Sequence, residues 1–235
     1  MIESKNLCFS YGSNLILDSV EFTAQTGRIT YLAGENGCGK TTWIKCAINL
    51  LKQSDGDILF DGKPFGDIRD DFSICFDTPP MYKNMSLNHN LEALYGVDYK
   101  SESATDLLLK VGIDARLSRE KAGNLSFGQQ HRIGIVGSIL RNPKYLILDE
   151  PNLGLDPHGW DVIKNKIINL KENGSTIILT GQNFHQVEEF ADDIVLLYDK
   201  KIREKDSIAG FINKHCADKT NESLENAFKK AIKKY

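Results

Sequence analysis

The sequence predicts an α/β fold: a mostly parallel sheet covered by helices, interrupted by a helical insertion. Three observations carry this. Short apolar strands alternate with helices in the second half, as in Tyr145–Leu148, Gly159–Glu172, Thr176–Thr180, His185–Ala191 and Ile194–Tyr198. A glycine-rich loop joins the apolar run Arg28–Ala33 to the helical pattern Thr41–Lys52, with Ile44, Ile48 and Leu51 on one side. From about Asp77 to Arg141 the periodicity is helical only, in Leu87–Leu94, Ser103–Val111 and Gln129–Leu140.

The opening reads as two strands, Asn6–Ser10 and Leu15–Phe22, with Gly12 and Asn14 in the turn. Asp57–Phe60, Asp61-Gly62 and Lys63 read as a hairpin. The tail Thr220–Lys234 has an amphipathic helical pattern, with Leu224, Phe228 and Ile232 spaced by four and Lys229, Lys230, Lys233 and Lys234 around them. Packing on its own domain is the expectation for this tail, and a membrane surface is the alternative.

The chain has 235 residues, enough for one domain or a core with an inserted subdomain. A net charge of −3 gives no general basis for nucleic-acid binding. The start, MIESKNLCFSYG, lacks the pattern of a signal peptide, and runs such as Ile194–Tyr198 fall far below the ~18 apolar residues of a spanning helix. A soluble protein is expected, with any membrane role needing a partner. Cys8, Cys38, Cys46, Cys75 and Cys216 show no CxxC spacing and read as free thiols in a reducing compartment.

Gly34-Glu35-Asn36-Gly37-Cys38-Gly39-Lys40-Thr41 fits G-x-x-x-x-G-K-[ST], and Thr42 follows it. Its glycines let backbone N–H groups converge on phosphate oxygens, and the helix N-terminus adds partial positive charge. Lys40 is expected to reach the β- and γ-phosphates, and the Thr41 hydroxyl to bind Mg²⁺. Cys38, at a helix N-terminus, is expected to favour its thiolate. Tyr145–Glu150 then delivers two carboxylates to the C-terminal edge of a buried strand. Asp149 is expected to hold Mg²⁺ through water, and Glu150 to polarise the attacking water.

Leu125-Ser126-Phe127-Gly128-Gln129-Gln130, shortly before that strand, resembles the LSGGQ signature of the ATP-binding-cassette (ABC) ATPases. The resemblance covers nearly the whole chain, with several motifs in the family's order. It implies a P-loop NTPase core of ABC type, in which an antiparallel β subdomain joins the mostly parallel sheet. The chain would be one such domain: core 1–76 and 142–205, helical subdomain about 77–141, helical tail 206–235. Ser126, Gly128 and Gln129 would face the γ-phosphate held by a second protomer, so that two ATP molecules are sandwiched in a head-to-tail dimer. Ser126 is expected to cap a helix beginning near Gln129. Tyr11 resembles the aromatic residue that stacks on adenine, an ordinary strand aromatic being its alternative. Asn152–Pro157 resembles the loop that communicates between the two sites, with Asp156 its best match and Leu153 at the usual Ser. Residues from about Met81 to Leu94 would meet a permease.

Three positions depart from the family pattern. Asp77 stands where a Mg²⁺-contacting Gln is usual, and is expected to take that ligand position directly or through water, although it is shorter and charged. Phe127 replaces a Gly, its side chain expected to point away from phosphate. Gln182 occupies the position of the "switch" His, and His185 is expected to be an exposed residue of the following helix. Gln can donate and accept hydrogen bonds but cannot carry charge. Slow hydrolysis, or reliance on Glu150 and a partner, is therefore expected.

By resemblance the chain is a cytoplasmic ATPase subunit using ATP and Mg²⁺. It would be held on the inner face of the membrane by separate permease subunits, as a homodimer or a heterodimer. The ending Ser223–Phe228, similar to "SLE..F", leans toward a branch exporting drugs, antibiotics, peptides and lipids. A non-transport ABC ATPase and an ATP-gated regulatory module with weak hydrolysis are the alternatives.

Overall fold

Strand β1 (Ile2–Tyr11) buries Ile2 and Ser4, then Leu7 and Phe9. The alternation changes parity because Asn6 takes a left-handed conformation (φ 46°) and shifts the register with strand β2 (Asn14–Ala24). The structure is a computed structural model, in which residues 1–216 and 222–235 are described. The chain divides into two compact units, one of Met1–Arg69 with Thr176–Tyr235, the other of Asp70–Ser175.

The first unit continues through β3 (Ile29–Ala33), α1 (Lys40–Ala47) and β4 (Asp55–Phe60). The second holds β5 (Phe72–Cys75), α2 (Leu87–Tyr95), α3 (Glu102–Lys110), α4 (Phe127–Leu140), β6 (Tyr145–Asp149) and α5 (Pro157–Glu172). The first unit is completed by β7 (Thr176–Thr180), α6 (Phe184–Glu188), β8 (Asp193–Tyr198), β9 (Lys201–Ser207), α7 (Ile208–His215) and α8 (Leu224–Ile232).

In the first unit β1 lies between β2 and β4, antiparallel to both. Trp43 of α1 is fully buried against Phe22 of β2, ring centroids 5.0 Å apart, and donates through Nε1 to Ser4 Oγ at 3.2 Å. Strand β3 pairs in parallel with β7 and β8, and β9 adds an antiparallel edge to β8. All five residues of β3 and of β7 are buried, as strands covered on both faces require. In the second unit β5 and β6 pair in parallel. Its helices start on side-chain caps: Ser86 for α2, Ser101 for α3, Ser126 for α4, and Asp156 followed by Pro157 for α5.

Several sequence expectations need correction. The predicted hairpin after Phe60 is only a turn: Asp61 and Gly62 both have positive φ, but the return arm makes a single bridge, Phe60 to Lys63. Strand β4 finds its partner in β1 instead, because that pairing completes a buried sheet face. The helix expected over Thr41–Lys52 ends at Ala47, since Asn49 turns left-handed and Leu50 is largely exposed. Helix α4 begins at Phe127, two residues before the expected start. Strands β5 and β9 are elements that the sequence pattern does not announce, and α7 lies within the helical tail expected over 206–235. The tail helix is described from Leu224, while Thr220 and Asn221 of the predicted span lie outside the described residues. Leu224, Ala227, Phe228 and Ala231 are buried, so α8 packs on its own unit, against α6 and α7. No helix among the described residues is long and apolar enough to cross a membrane.

Candidate functional site

The glycine-rich loop leaves β3 at Gly34, which is buried. A Cβ there would lie 2.4 Å from the Leu197 carbonyl oxygen and 2.5 Å from Cys38 Sγ, so only glycine fits. Gly39, with φ 114°, is the N-cap of α1 and supplies no side-chain cap. The first N–H groups of α1 are thus left without a side-chain cap, beside a buried lysine. Lys40 folds back over the loop, its Nζ donating to the carbonyls of Gly34 at 2.7 Å and Glu35 at 3.0 Å. An ammonium held by neutral carbonyls above an uncapped helix start suits an anion with several oxygens.

Gln182 reaches the same loop: its Nε2 donates to Asn36 Oδ1 at 2.7 Å. His185 lies exposed on α6, as expected. Two cavities flank the loop. One of about 480 Å³ is lined by Asn14, Leu15, Ile16, Glu35, Cys38 and Tyr198, among others. One of about 360 Å³ is lined by Gly34, Asn36, Gln182, Phe184, Phe228 and Ile232, among others. Leu15, Ile16 and Tyr198 escaped the sequence reading because apolar strand residues give no signal of a ligand. Tyr11 lines neither cavity; its ring is half exposed and meets Phe9 edge-on at 4.8 Å.

The Cys38 expectation is corrected. Burial of its half-covered thiol pushes the pKa above the ordinary cysteine value, outweighing the opposing pull of Lys40. The neutral thiol is the favoured form.

In the second unit Asp149 ends β6, buried, and Glu150 follows in a left-handed conformation with φ 54°. That conformation costs a residue with a Cβ roughly 1–2 kcal/mol. Asp77 is exposed, and its carboxylate accepts the Thr78 N–H at 2.6 Å. Burial raises the pKa of the Cys75 thiol, and Asp149 and Asp77 raise it further, so both carboxylates lie near this one side chain.

Ser126 and Gln129 form a reciprocal capping box. The Gln129 N–H donates to Ser126 Oγ at 3.3 Å, and the Ser126 N–H to Gln129 Oε1 at 2.8 Å. Phe127 is 49% exposed, which leaves its ring clear of the local packing. Gly128 rests on Gly154 in the loop after Glu150. Asp156 caps α5, accepting the Gly159 N–H at 2.6 Å. Sequence reasoning also passes over His131, which is fully buried; the backbone of Leu153 and of Asp149 lies near its ring, and burial lowers its pKa.

The first unit thus carries Gly34–Thr42 and Gln182, and the second carries Asp77, Asp149, Glu150, Ser126, Gly128 and Gln129. Among the described residues no group of three or more His, Cys, Asp or Glu is arranged to hold a metal.

Comparison with known proteins agrees with this geometry. A family model described as "ABC transporter" matches residues 17–153. The lantibiotic transport ATP-binding protein SrtF of Streptococcus pyogenes is 36% identical over 86% of this chain and 89% of its own length. The bacitracin transport ATP-binding protein BcrA of Enterococcus faecalis is 30% identical over 89% of this chain and 70% of its own. A solved ATP-binding subunit of an ABC transporter superposes with a TM-score of 0.84 at 26% identity, over 97% of this chain and 98% of that one. With more than half its length inside the family model, the chain belongs to the ABC transporter family, whose ATP-binding domain it carries.

Proposed function

We propose that this chain is the motor subunit of an exporter: it pairs head-to-tail with a second ATP-binding domain around two Mg-ATP and drives a separate membrane permease. The observation that carries the reading is the loop Gly34–Thr41, closed by Lys40 over two backbone carbonyls with Gln182 docked on Asn36. In this reading the units form one domain, with core 1–76 and 142–205, helical subdomain 77–141 and tail 206–235.

Each residue then has a task. The loop N–H groups and Lys40 bind the phosphates, with Lys40 exchanging its carbonyl partners for phosphate oxygens. Thr41, Asp149 and Asp77 would hold Mg²⁺, the carboxylates directly or through water, and the ion when bound would neutralise charge on the phosphate oxygens. Glu150 accepts the proton of the attacking water as the bond to ADP breaks. Gln182 leaves Asn36 and donates to the γ-phosphate. Being neutral, it stabilises developing charge less well than a protonated His; removing such a donor outright typically costs ~10²–10³ in rate, which bounds the cost of this exchange from above. Tyr11 stacks on adenine at the open side. Ser126, Gly128 and Gln129 complete the site of the opposite protomer, which is either a second copy or a related chain.

Exposed Tyr82 and Met85 support a permease contact over residues 81–94. The permease would hold the chain at the cytoplasmic face of the membrane. Export of an antibiotic or peptide is favoured by the relatives named for lantibiotic and bacitracin transport, and by the Ser223–Phe228 ending.

Titration with a fluorescent ATP analogue tests the site. Lys40→Ala should weaken binding by at least tenfold, the value of about 1.4 kcal/mol for one charge-assisted contact. Equal affinity in the wild type and Lys40→Ala would overturn the assignment of the loop.

A further inference from the structure

Gln182 is exposed, and its segment leads into α6, a helix of only five residues. A helix this short has too few internal hydrogen bonds to hold its own position, so neighbours must hold it. Tyr31 contributes from β3. Its hydroxyl donates to the Gly181 carbonyl at 2.5 Å, and its fully buried ring meets Phe184 edge-on at 5.6 Å. Helix α8 contributes the rest. The Phe228 ring lies against Phe184, centroids 4.6 Å apart and planes tilted by 36°, and Glu188 accepts the N–H of Leu224, the first residue of α8, at 2.8 Å. Phe228 and Gln182 also share the wall of the 360 Å³ cavity beside the phosphate loop.

We propose that α8 is a positioning element for Gln182, acting through Phe228 on Phe184 and through Glu188 on the helix start. The proposal rests on Gln182 having the catalytic role given above. Phe228 touches no reacting atom; it fixes where the residue two positions before Phe184 can go. Shortening Phe228 opens the cavity further and frees Phe184 to swing into it. Gln182 then loses its aim at the phosphate while the loop that binds nucleotide is untouched.

Steady-state hydrolysis of Mg-ATP by the full chain tests this with Phe228→Ala, Phe228→Leu, Gln182→Ala and the double variant Phe228→Ala/Gln182→Ala. Phe228→Ala should lower kcat about tenfold with KM changed less than about twofold, because small misplacements of a catalytic group cost up to ~10²-fold. Phe228→Leu, which refills most of the volume, should recover most of the rate. In the Gln182→Ala background Phe228→Ala should cost less than about twofold, the non-additivity expected of residues acting as a unit. A tenfold loss in both backgrounds, or no loss in either, overturns the proposal. Hydrogen exchange over residues 181–187 gives a reading independent of catalysis. It should quicken in Phe228→Ala and in Glu188→Ala, and unchanged exchange in both overturns the proposal. A wild type that does not hydrolyse ATP would refute the motor function, and the exchange result would still decide the role of α8.

Discussion

Replacing Gly154 by alanine should destabilise the protein far more than replacing Gly128, although the two residues touch. Gly154 has φ 72°, a left-handed conformation that costs a residue with a Cβ roughly 1–2 kcal/mol. A Cβ on Gly154 would also lie 2.8 Å from Gly128 Cα and 3.4 Å from Gly128 O. Both are backbone atoms of the first turn of α4 and cannot rotate away, so a packing cost of about 1–3 kcal/mol adds to the first. A Cβ on Gly128 would meet Gly154 Cα at 3.5 Å, an ordinary contact, in a helix position that favours alanine. Gly62→Ala is the control for backbone strain, with φ 77° and nothing within 4 Å of the added carbon. Urea unfolding at matched m-values reads the differences. The order of midpoints should be Gly128→Ala near wild type, then Gly62→Ala, then Gly154→Ala. The last should fall roughly 1–2 M below wild type, from a cost of about 2–5 kcal/mol and a slope of about 3 kcal/mol/M, the upper end of the usual range for a chain of this size. Equal midpoints for Gly154→Ala and Gly62→Ala would show that the loop after Glu150 does not press on α4, and would refute the reasoning.

Three other outcomes rest on particular contacts. Cys38 should react slowly with iodoacetamide at pH 7, because burial raises its pKa and lowers the thiolate fraction. The rate should climb as pH rises toward the raised value, and ATP should protect the thiol; fast labelling at pH 7 would refute the burial argument. Burial pushes the Glu204 pKa up, but hydrogen bonds from Lys214 and His215 outweigh it and hold it below the ordinary value. Its stabilising contribution is therefore complete above the unfolded carboxylate pKa of about 4.3 and is lost as pH falls through the lowered folded value. Glu204→Gln should flatten that acid limb in urea melts between pH 6 and 3, and an unchanged limb would contradict the assignment. Ser126→Ala should cost about 1 kcal/mol in thermal or urea melts by removing half of the capping box, and an unchanged melt would show that the box adds nothing.

The site's chemistry was legible in the sequence because it is local. Gly34–Thr41 needs glycines and a lysine at fixed offsets, and Tyr145–Glu150 needs an apolar strand ending in two carboxylates, so periodicity and spacing suffice. What escaped is set by distant residues. The partner of β4 is β1, more than forty residues earlier, and nothing in Asp55–Lys63 distinguishes that pairing from a hairpin. Helix α1 kept its apolar spacing beyond Ala47, but tertiary packing left Leu50 outside and let Asn49 turn left-handed. The bulge at Asn6 broke the alternation that would have marked all of β1. The Cys38 thiol was misjudged because the helix N-terminus is visible in sequence and burial is not. The strained backbone of Glu150 has no sequence signature at all.

Phosphate release by the purified chain at high protein concentration, with Mg-ATP and beside Glu150→Gln and Gln182→His, tests the central claim most directly. The account predicts a slow wild type, loss of turnover in Glu150→Gln, and a Gln182→His rate raised by about ten- to a thousandfold, the worth of a preorganised charged donor at the transition state. Turnover that survives Glu150→Gln would contradict the assignment of the general base. A Gln182→His rate equal to wild type would contradict the reading of Gln182 as a brake on this motor.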